Sequence, residues 1–297
     1  MKKNAIYQGN SLDLIQDVEN ESVHLILSDI PYGIGTDEWD ILHDNSNSAY
    51  LGSSNSQKKA SNIFDKRRKP INGWCRADRE IPRKYQEWCS TWSPEWFRVL
   101  KPGASVFIFS GRRLSHRCVC AMEDAGFIFK DALAWIKTQA PHRAQRLSVV
   151  YSRRGDEKSS LAWDGWRIGN LRPMYEPILW FTKPYKIGGT IADNVLKHDV
   201  GAYNEKAFIK YVDQPNNVIS CGLGKNESGL HPTQKSIRLM QILIELTTKK
   251  GQLVLDPFAG SGSTLIAAKL LERQYLGFEL DANYVNICKG RLVPDLF

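Results

Sequence analysis

Two short motifs near opposite ends of the 297-residue chain carry side chains that could do chemistry. The first, Asp29-Ile30-Pro31-Tyr32, places a carboxylate, a proline turn and an aromatic ring directly after the apolar run 23–27. The second, at 256–262, is a tight glycine turn that follows three apolar residues. A carboxylate can accept hydrogen bonds from an amine, and an aromatic ring can stack on a planar group. A glycine turn lets a ligand approach the main chain. We interpret the pair as a site where a planar amine meets an adenosine-containing cofactor.

The two motifs resemble those of the DNA amino-methyltransferases, enzymes that move a methyl group from S-adenosylmethionine (SAM) to the exocyclic nitrogen of adenine or cytosine. The tetrapeptide 29–32 is similar to their catalytic Asp-Pro-Pro-Tyr, with Ile30 as the one departure, and residues 256–264 are similar to their cofactor loop. The residues His-Pro-Thr-Gln-Lys at 231–235 are similar to a segment that precedes that loop in one subgroup. The catalytic motif comes first in the chain, which is the order of the beta class. The resemblance extends over about 4–294.

The resemblance gives the tetrapeptide a chemical role. The exocyclic amine is a poor nucleophile because its lone pair is delocalised into the ring, so two acceptors must hold its two N–H bonds. The Asp29 carboxylate would supply one acceptor and the Ile30 carbonyl the other, and Pro31 restricts Ile30 to extended conformations. The ring of Tyr32 would stack on the base and contribute roughly 1–3 kcal/mol. A strand-terminal Asp before a proline turn, without a chemical role, is the alternative.

The glycine turn suits a cofactor that has no phosphate. Gly260 and Gly262 let a ligand approach the main chain, but Leu265 stands where a dinucleotide fingerprint has its third glycine, which argues against a pyrophosphate. Glu279 closes the next predicted strand, where an acidic side chain can bind both ribose hydroxyls. Asp256 ends the preceding strand and is expected to face the methionine ammonium of SAM. A purely structural turn is the alternative for this loop.

Further cofactor contacts follow from the resemblance alone. In the family, the His-Pro-Thr-Gln-Lys segment lies near the methionine end of SAM, which implies that His231, Thr233 and Lys235 hold its carboxylate. Thr233 has an alternative role as the N-cap of the helix that follows. Phe258 belongs to the cofactor loop, and Asn10 falls where relatives often carry an Asp near the cofactor.

The charge of the chain favours a polyanionic partner. The formal net charge is +8, and ten basic residues stand against three acidic ones between Gln57 and Lys84. A solvated loop would have the same composition, but beside a base-modifying motif the run favours phosphate contact. Further Arg residues in 138–172 are interleaved with Trp163 and Trp166, for which core packing is the alternative. The predicted DNA contacts are Lys66, Arg67, Arg68, Lys69, Arg143, Arg146, Arg153 and Arg154.

Strands and helices alternate along the chain, which predicts an α/β fold with a doubly wound, mainly parallel sheet of the SAM-dependent methyltransferase (Rossmann-like) type. We expect a single methyltransferase domain over 1–297 with three insertions: a basic flexible loop at 33–84, a basic and aromatic stretch at 138–172, and, by resemblance, a target-recognition segment at 184–230. After a strand–helix–strand unit at 4–32, helices are predicted at 85–100, 114–126, 234–248 and 263–272, and strands at 104–110, 127–137, 175–183, 252–256 and 274–280.

Composition argues against a membrane protein. The chain is 42% hydrophobic, no run approaches the roughly 18 apolar residues that span a bilayer, and no apolar signal segment follows the first residues. A cytoplasmic location is therefore expected. The six Cys residues include no Cys-x-x-Cys, and Cys118 and Cys120 would point to different faces of a helix, so no metal site is expected.

Together these features predict a site-specific DNA methyltransferase that moves the methyl group of SAM to N6 of an adenine flipped out of the duplex, at a cost of a few kcal/mol. Asp29 favours adenine, because cytosine-N4 enzymes of similar build more often have Ser at that position. Ser28 precedes Asp29, but Pro31 and Tyr32 fix the register. Double-stranded DNA is the expected partner, and the resemblance alone implies a cognate restriction nuclease and a homodimer.

Other functions stay open at this point. Cytosine-N4 methylation keeps the fold and the site but changes the base. Methylation of RNA or of a protein glutamine amide changes the substrate, although the motif order and the basic insertions argue against it. A DNA-binding protein without catalysis is a further alternative, against which stand the intact Asp29, Tyr32, Gly260, Gly262 and Glu279.

Overall fold

The computed structural model describes residues 1–33, 76–140, 144–222 and 235–293. The strands are β1 Ala5–Gln8, β2 Val23–Asp29, β3 Leu100–Phe109, β4 Ile128–Ile136, β5 Gln145–Arg146, β6 Arg167–Ile168, β7 Tyr175–Thr182, β8 Val218–Ser220, β9 Leu253–Asp256 and β10 Gln274–Glu279. The helices are α1 Ser11–Leu14, α2 Arg76–Val99, α3 Ser115–Asp124, α4 Leu147–Ser152, α5 Glu157–Ala162, α6 Ile191–His198, α7 Glu205–Phe208, α8 Ile237–Thr247, α9 Ser263–Leu270 and α10 Ala282–Leu292. Within these ranges, no helix has the length and apolar character needed to cross a bilayer.

Eight strands form one sheet in the order β1-β10-β9-β2-β3-β7-β4-β8, and β5 pairs with β6 in a separate ribbon. β1, β10, β9, β2 and β3 run parallel to one another. β7 is antiparallel to both of its neighbours, β3 and β4, and β8 is parallel to β4. The sheet is therefore mainly parallel, as the sequence predicts, and β7 runs against the direction of the rest.

Helices cover both faces of this sheet because strand side chains alternate between the faces. Leu25 and Leu27 of β2 point into a core shared with α8 and α9, whereas Ile26 and Ile30 join a core shared with α2 and α3. β2 is therefore buried on both sides, which explains the apolar composition of 23–27. This burial fixes the carboxyl end of β2 firmly in the middle of the sheet.

Helix α2 begins earlier than the sequence pattern predicts. It starts at Arg76, inside the stretch expected to be a flexible loop, so that expectation is wrong for the last part of the stretch. Arg83 contacts Glu80 and Glu87 one turn away in each direction along the helix. Such charge pairs stabilise the exposed face of the helix. Ile81, one turn before Tyr85, is buried and continues the apolar face, so the sequence did contain a sign of the earlier start.

Two of the predicted insertions contain short elements. The segment 184–230 includes α6, α7 and β8, and 138–172 includes β5, α4, α5 and β6. Thr190 and Asp193 form a capping box at the start of α6, which is a signal that the sequence does contain. The other short helices bury few residues, so no apolar period marks them.

Candidate active site

One edge of the sheet collects the ends of many strands. The parallel strands finish at this edge, and β7 begins there because it runs the other way. Acidic residues stand on four of these strand ends. They are Asp29 on β2, Asp256 on β9, Glu279 on β10 and Glu176 on β7. Ligands of doubly wound sheets bind at this carboxyl edge, so these side chains mark the candidate site.

The tetrapeptide is anchored through the side chain of Ile30. That side chain is 1% exposed and packs in the core between the sheet and α2. The next carbonyl, that of Pro31, accepts a hydrogen bond from the Tyr85 hydroxyl of α2 at 3.0 Å. Burial of Ile30 thus replaces the fixed φ angle that proline would give at this position. The main chain around the expected acceptor carbonyl is held in place from both directions.

Asp29 and Tyr32 belong to a buried ionic group with Lys137, Glu176 and Lys235, which we call the charge cluster. Lys235 Nζ lies 2.6 Å from Asp29 Oδ2 and 3.3 Å from Glu176 Oε1. The Tyr32 hydroxyl lies 3.0 Å from Asp29 Oδ1 and also contacts Glu176 Oε1, and it accepts a hydrogen bond from Lys235 at 3.0 Å. Lys137 pairs with the second oxygen of Glu176. Two carboxylates, two amines and one phenol thus share one small space.

The charge cluster shifts the pKa values of its two carboxyl groups in opposite directions. Burial raises the pKa of Asp29, and the neighbouring Glu176 adds to this effect although Lys235 opposes it. Burial also disfavours the charge of Glu176, but Lys235 and Lys137 outweigh burial and lower the pKa of Glu176 to about 2. Glu176 is therefore the carboxylate that stays ionised, and Asp29 is the one that binds a proton more readily.

Asp29 is also a part of the charge cluster that a ligand can reach. Its side chain keeps 23% exposure, whereas those of Glu176 and Lys235 are buried. Gly111 lies against Tyr32, and a Cβ at that glycine would stand 3.0 Å from the Tyr32 Cβ atom. A larger residue at Gly111 would push the tyrosine away from the cluster. A base that enters the site therefore meets Asp29 in front of a closely packed aromatic ring.

The two glycines of the cofactor turn have different roles. Both have positive φ, +50° at Gly260 and +84° at Gly262, which glycine adopts without strain. A Cβ at Gly262 would lie 2.2 Å from Cys288 Sγ of α10, so this glycine is required by packing. A Cβ at Gly260 would meet no atom of the described residues within 4 Å. Gly260 therefore borders open space at the carboxyl edge, where a ligand can approach the main chain.

Glu279 is held beside this open space by main-chain amides. Gly260 N donates to Glu279 Oε2 and Asp281 N donates to Glu279 Oε1, both at 2.8 Å. Each carboxylate oxygen keeps a lone pair for a further donor, such as a ribose hydroxyl. Ser263, the first residue of α9, has a buried hydroxyl with no partner among the residues that the structure describes. These residues fit an adenosine-containing cofactor without a pyrophosphate.

Three other expected cofactor residues have contacts within the protein. Asp256 is 2% exposed and accepts hydrogen bonds from Ser28 Oγ at 2.6 Å and from the Phe258 amide at 3.2 Å. Burial raises the pKa of Asp256 to about 6. Asn10 accepts from the Leu12 amide at 3.0 Å and caps α1, and the Phe258 ring packs among the Trp side chains of α2. Their expected contacts with the cofactor stay predictions.

The structure places Lys235 against Asp29 in the charge cluster, and its expected contact with the methionine carboxylate stays a prediction. Arg146, Arg153 and Arg154 are exposed. Trp163 and Trp166 are 42% and 61% exposed with their rings 5.4 Å apart, so the core-packing alternative is wrong for them. His231, Thr233, Lys66, Arg67, Arg68, Lys69 and Arg143 lie outside the described residues.

Glu176 and Lys137 belong to the charge cluster but were not predicted from the sequence. Glu176 stands in the otherwise apolar strand β7, and a carboxylate inside such a run is a signal that a partner must lie nearby. Lys137 directly follows β4, and that strand pairs with β7 so that Trp135 faces Glu176. The position of the charge in the run could have marked Glu176, but its partners come from separate strands.

Taken together, the sheet, the acidic tetrapeptide on a central strand and the open glycine turn on the neighbouring strand define a class. They are the features of a Rossmann-like methyltransferase that acts on an amino group and takes its methyl group from an adenosine-containing donor.

Comparison with known proteins identifies the family. The model of the N6/N4 methyltransferase family, described as DNA methylase, matches residues 23–290. The chain is 52% identical over 292 residues to the Type II methyltransferase M.HindIII of Haemophilus influenzae, covering 97% of this chain and 94% of the relative. It is 25% identical to the Type II methyltransferase M.HpaI of Haemophilus parainfluenzae, covering 95% of this chain and 72% of the relative.

Solved structures share the fold. The PvuII DNA methyltransferase (cytosine-N4-specific) has a TM-score of 0.64 at 15% identity, covering 100% of this chain and 89% of the other. The complex of M1.HpyAVI with SAM has a TM-score of 0.53 at 21% identity, covering 97% and 99%.

The chain belongs to the N6/N4 family of DNA methylases. It is therefore an enzyme, a DNA methyltransferase with SAM as its cofactor, and the predictions of fold class, enzyme class, cofactor and DNA as partner are confirmed.

Proposed function

We propose that the chain methylates adenine at N6 within a specific DNA sequence. The observation that carries this proposal is the position of Asp29, which reaches the open edge of the sheet beside the cofactor turn. The fold itself does not select the base, because a structure named as cytosine-N4-specific has the same fold. The choice of adenine rests on Asp, rather than Ser, at the head of the tetrapeptide.

The proposed reaction needs two acceptors for the amine of the flipped base. Asp29 accepts one N–H and the main-chain carbonyl of Ile30 accepts the other, so the nitrogen lone pair is freed from the ring and points at the donor. SAM, when bound, would supply the methyl group from its sulfonium to the nitrogen, with the electron pair of the broken S–C bond left on sulfur. The methylated nitrogen then loses a proton, and the raised pKa of Asp29 suits it to accept that proton.

The residues on the cofactor side hold and orient SAM in this proposal. Glu279 accepts from the ribose hydroxyls, and the main chain at Gly260 admits the ligand to the edge of the sheet. Asp256 contributes through Ser28, since their hydrogen bond ties the cofactor strand to the residue before Asp29. Positioning of the two reactants in this manner provides a large share of the rate enhancement.

The wider organisation is also part of the proposal. One methyltransferase domain over 1–297 would carry three insertions for DNA, at 33–84, 138–172 and 184–230, with the last reading the target. The exposed Arg side chains of 146–154 and the exposed Trp pair support DNA contact by the second insertion. From the family resemblance, a cognate restriction nuclease and a homodimer are proposed as partners, and from composition the cytoplasm is proposed as the location.

Nucleoside mass spectrometry tests the choice of base. Unmethylated DNA is incubated with the protein and SAM, digested and analysed, with a reaction lacking SAM as control. N6-methyladenine supports the proposal, and sequencing of the modified sites then gives the target. N4-methylcytosine would overturn the base assignment while keeping the site. Absence of any modified base in DNA would contradict the proposal altogether.

A further inference from the structure

Glu176 has no part in the reaction described above, although it lies inside the charge cluster. Its carboxylate contacts Lys235 at 3.3 Å, the Tyr32 hydroxyl and Lys137. Lys235 and Tyr32 also contact Asp29. The two carboxylates therefore compete for the same two donors.

This competition matters because Asp29 must accept a hydrogen bond from the target amine. An ammonium at 2.6 Å from Asp29 Oδ2 presents the same kind of N–H donor that the base presents. The Tyr32 phenol has a single hydrogen and can donate it to only one carboxylate at a time. If Glu176 lost its charge, both donors would turn more fully to Asp29. They would then compete with the amine of the base for the lone pairs of the Asp29 carboxylate.

We propose that Glu176 is a positioning residue for methyl transfer, which shares the Lys235 ammonium with Asp29 and competes for the Tyr32 hydroxyl hydrogen, so that Asp29 stays open to the target amine. Lys137 holds Glu176 in turn from the end of β4. The inference rests on the proposed function, because it requires that Asp29 receives an amine. It assigns a task to a residue that does not itself touch the base.

The pH dependence of methylation tests this role. The charged groups that face Asp29 are Lys235, Glu176 and Tyr32, with Asp256 on the neighbouring strand. Because the charge of Glu176 raises the pKa of Asp29, Glu176→Gln should move the acidic limb of the single-turnover rate to lower pH. The plateau rate should fall by roughly ten- to a hundredfold, since a displacement of about 1 Å can cost 10²-fold.

Lys137→Gln should move the same limb in the opposite direction. Lys137 lowers the pKa of Glu176, so its removal raises that pKa and Glu176 takes up a proton at a higher pH. The acidic limb should then shift to higher pH. A purely structural role of Glu176 would lower stability but would leave the plateau rate of the folded Glu176→Gln variant unchanged.

Glu245→Gln is the matched control, because Glu245 also accepts a hydrogen bond from a tyrosine, Tyr211, outside the charge cluster. Its rate and its pH limb should equal those of the wild type, and SAM affinity by calorimetry should be retained by every variant. A Glu176→Gln plateau rate within about threefold of wild type overturns the inference, whether or not the limb moves.

If Glu176→Gln does not fold, Lys137→Gln decides, since the Lys137 side chain is 30% exposed and tolerates change. An unmoved acidic limb in that variant overturns the inference. A wild-type protein that leaves adenine unmethylated overturns the proposed function instead, and this outcome is known before any variant is compared.

Discussion

The cofactor side and the substrate side of the site hold their key carboxylates in different ways. Glu279 is fixed by the main-chain amides of Gly260 and Asp281. Asp29 is held by side chains, those of Lys235 and Tyr32. Main-chain donors stay in place when residues change, whereas a side-chain donor is lost with one substitution. We therefore expect the substrate side to lose function more sharply than the cofactor side.

The largest effect is expected from Asp29→Asn. The amide keeps the shape of the side chain but loses the charge and one acceptor oxygen that the target amine needs. Single-turnover methylation should fall by at least about a hundredfold, the scale measured when one oriented hydrogen-bond partner of a transition state is removed. SAM affinity by calorimetry should stay close to wild type. Turnover near the wild-type rate would remove Asp29 from its role.

A smaller effect is expected from Glu279→Gln on the cofactor side. Loss of hydrogen bonds to a charged group, at about 1.5–3 kcal/mol, should raise the Kd of SAM by roughly ten- to a hundredfold. The rate at saturating SAM should stay near wild type, because Asp29 and its partners are unchanged. Glu272→Gln serves as control, since Glu272 forms an exposed pair with Lys250. An unchanged Kd for SAM would rule out the ribose assignment.

The smallest effect on chemistry is expected within the glycine turn itself. Gly260→Ala has room for its Cβ and should fold, with a cost of about 1–3 kcal/mol from the positive φ, and it should weaken SAM binding. Gly262→Ala adds overlap with Cys288, so its loss in melting temperature should be the greater of the two. Equal loss of SAM affinity in a well-folded Gly262→Ala variant would contradict the division of roles between the two glycines.

The cofactor side could be predicted from the sequence because its parts are local. The turn around Gly260 and the carboxylate of Glu279 belong to the single unit β9–α9–β10, where the spacing along the chain fixes the spacing in space. The tetrapeptide is likewise four consecutive residues. For such units, residue types and their separations carry most of the geometry.

The rest of the charge cluster could not be predicted, because separate strands bring it together. Glu176 meets Lys137 through the antiparallel pairing of β7 with β4, and neither strand alone contains the register. Tertiary contacts bring the Lys235 ammonium to Asp29, and its expected contact with the methionine end of SAM stays a prediction. The exposure of Trp163 and Trp166 is likewise a property of the assembled fold. Basic neighbours in the sequence do not show whether a Trp lies at the surface or at the margin of the core.

The hydrogen bond between Ser28 and Asp256 joins residues 228 positions apart in the chain. The strand that carries Asp256, β9, lies between β10 and β2, so β2 gains this neighbour only when nearly all of the chain exists. Contacts between residues so distant in sequence slow folding. During synthesis the N-terminal part leaves the ribosome first. We therefore expect that Asp29 is present in the growing chain for most of translation, but that this chain cannot yet modify DNA.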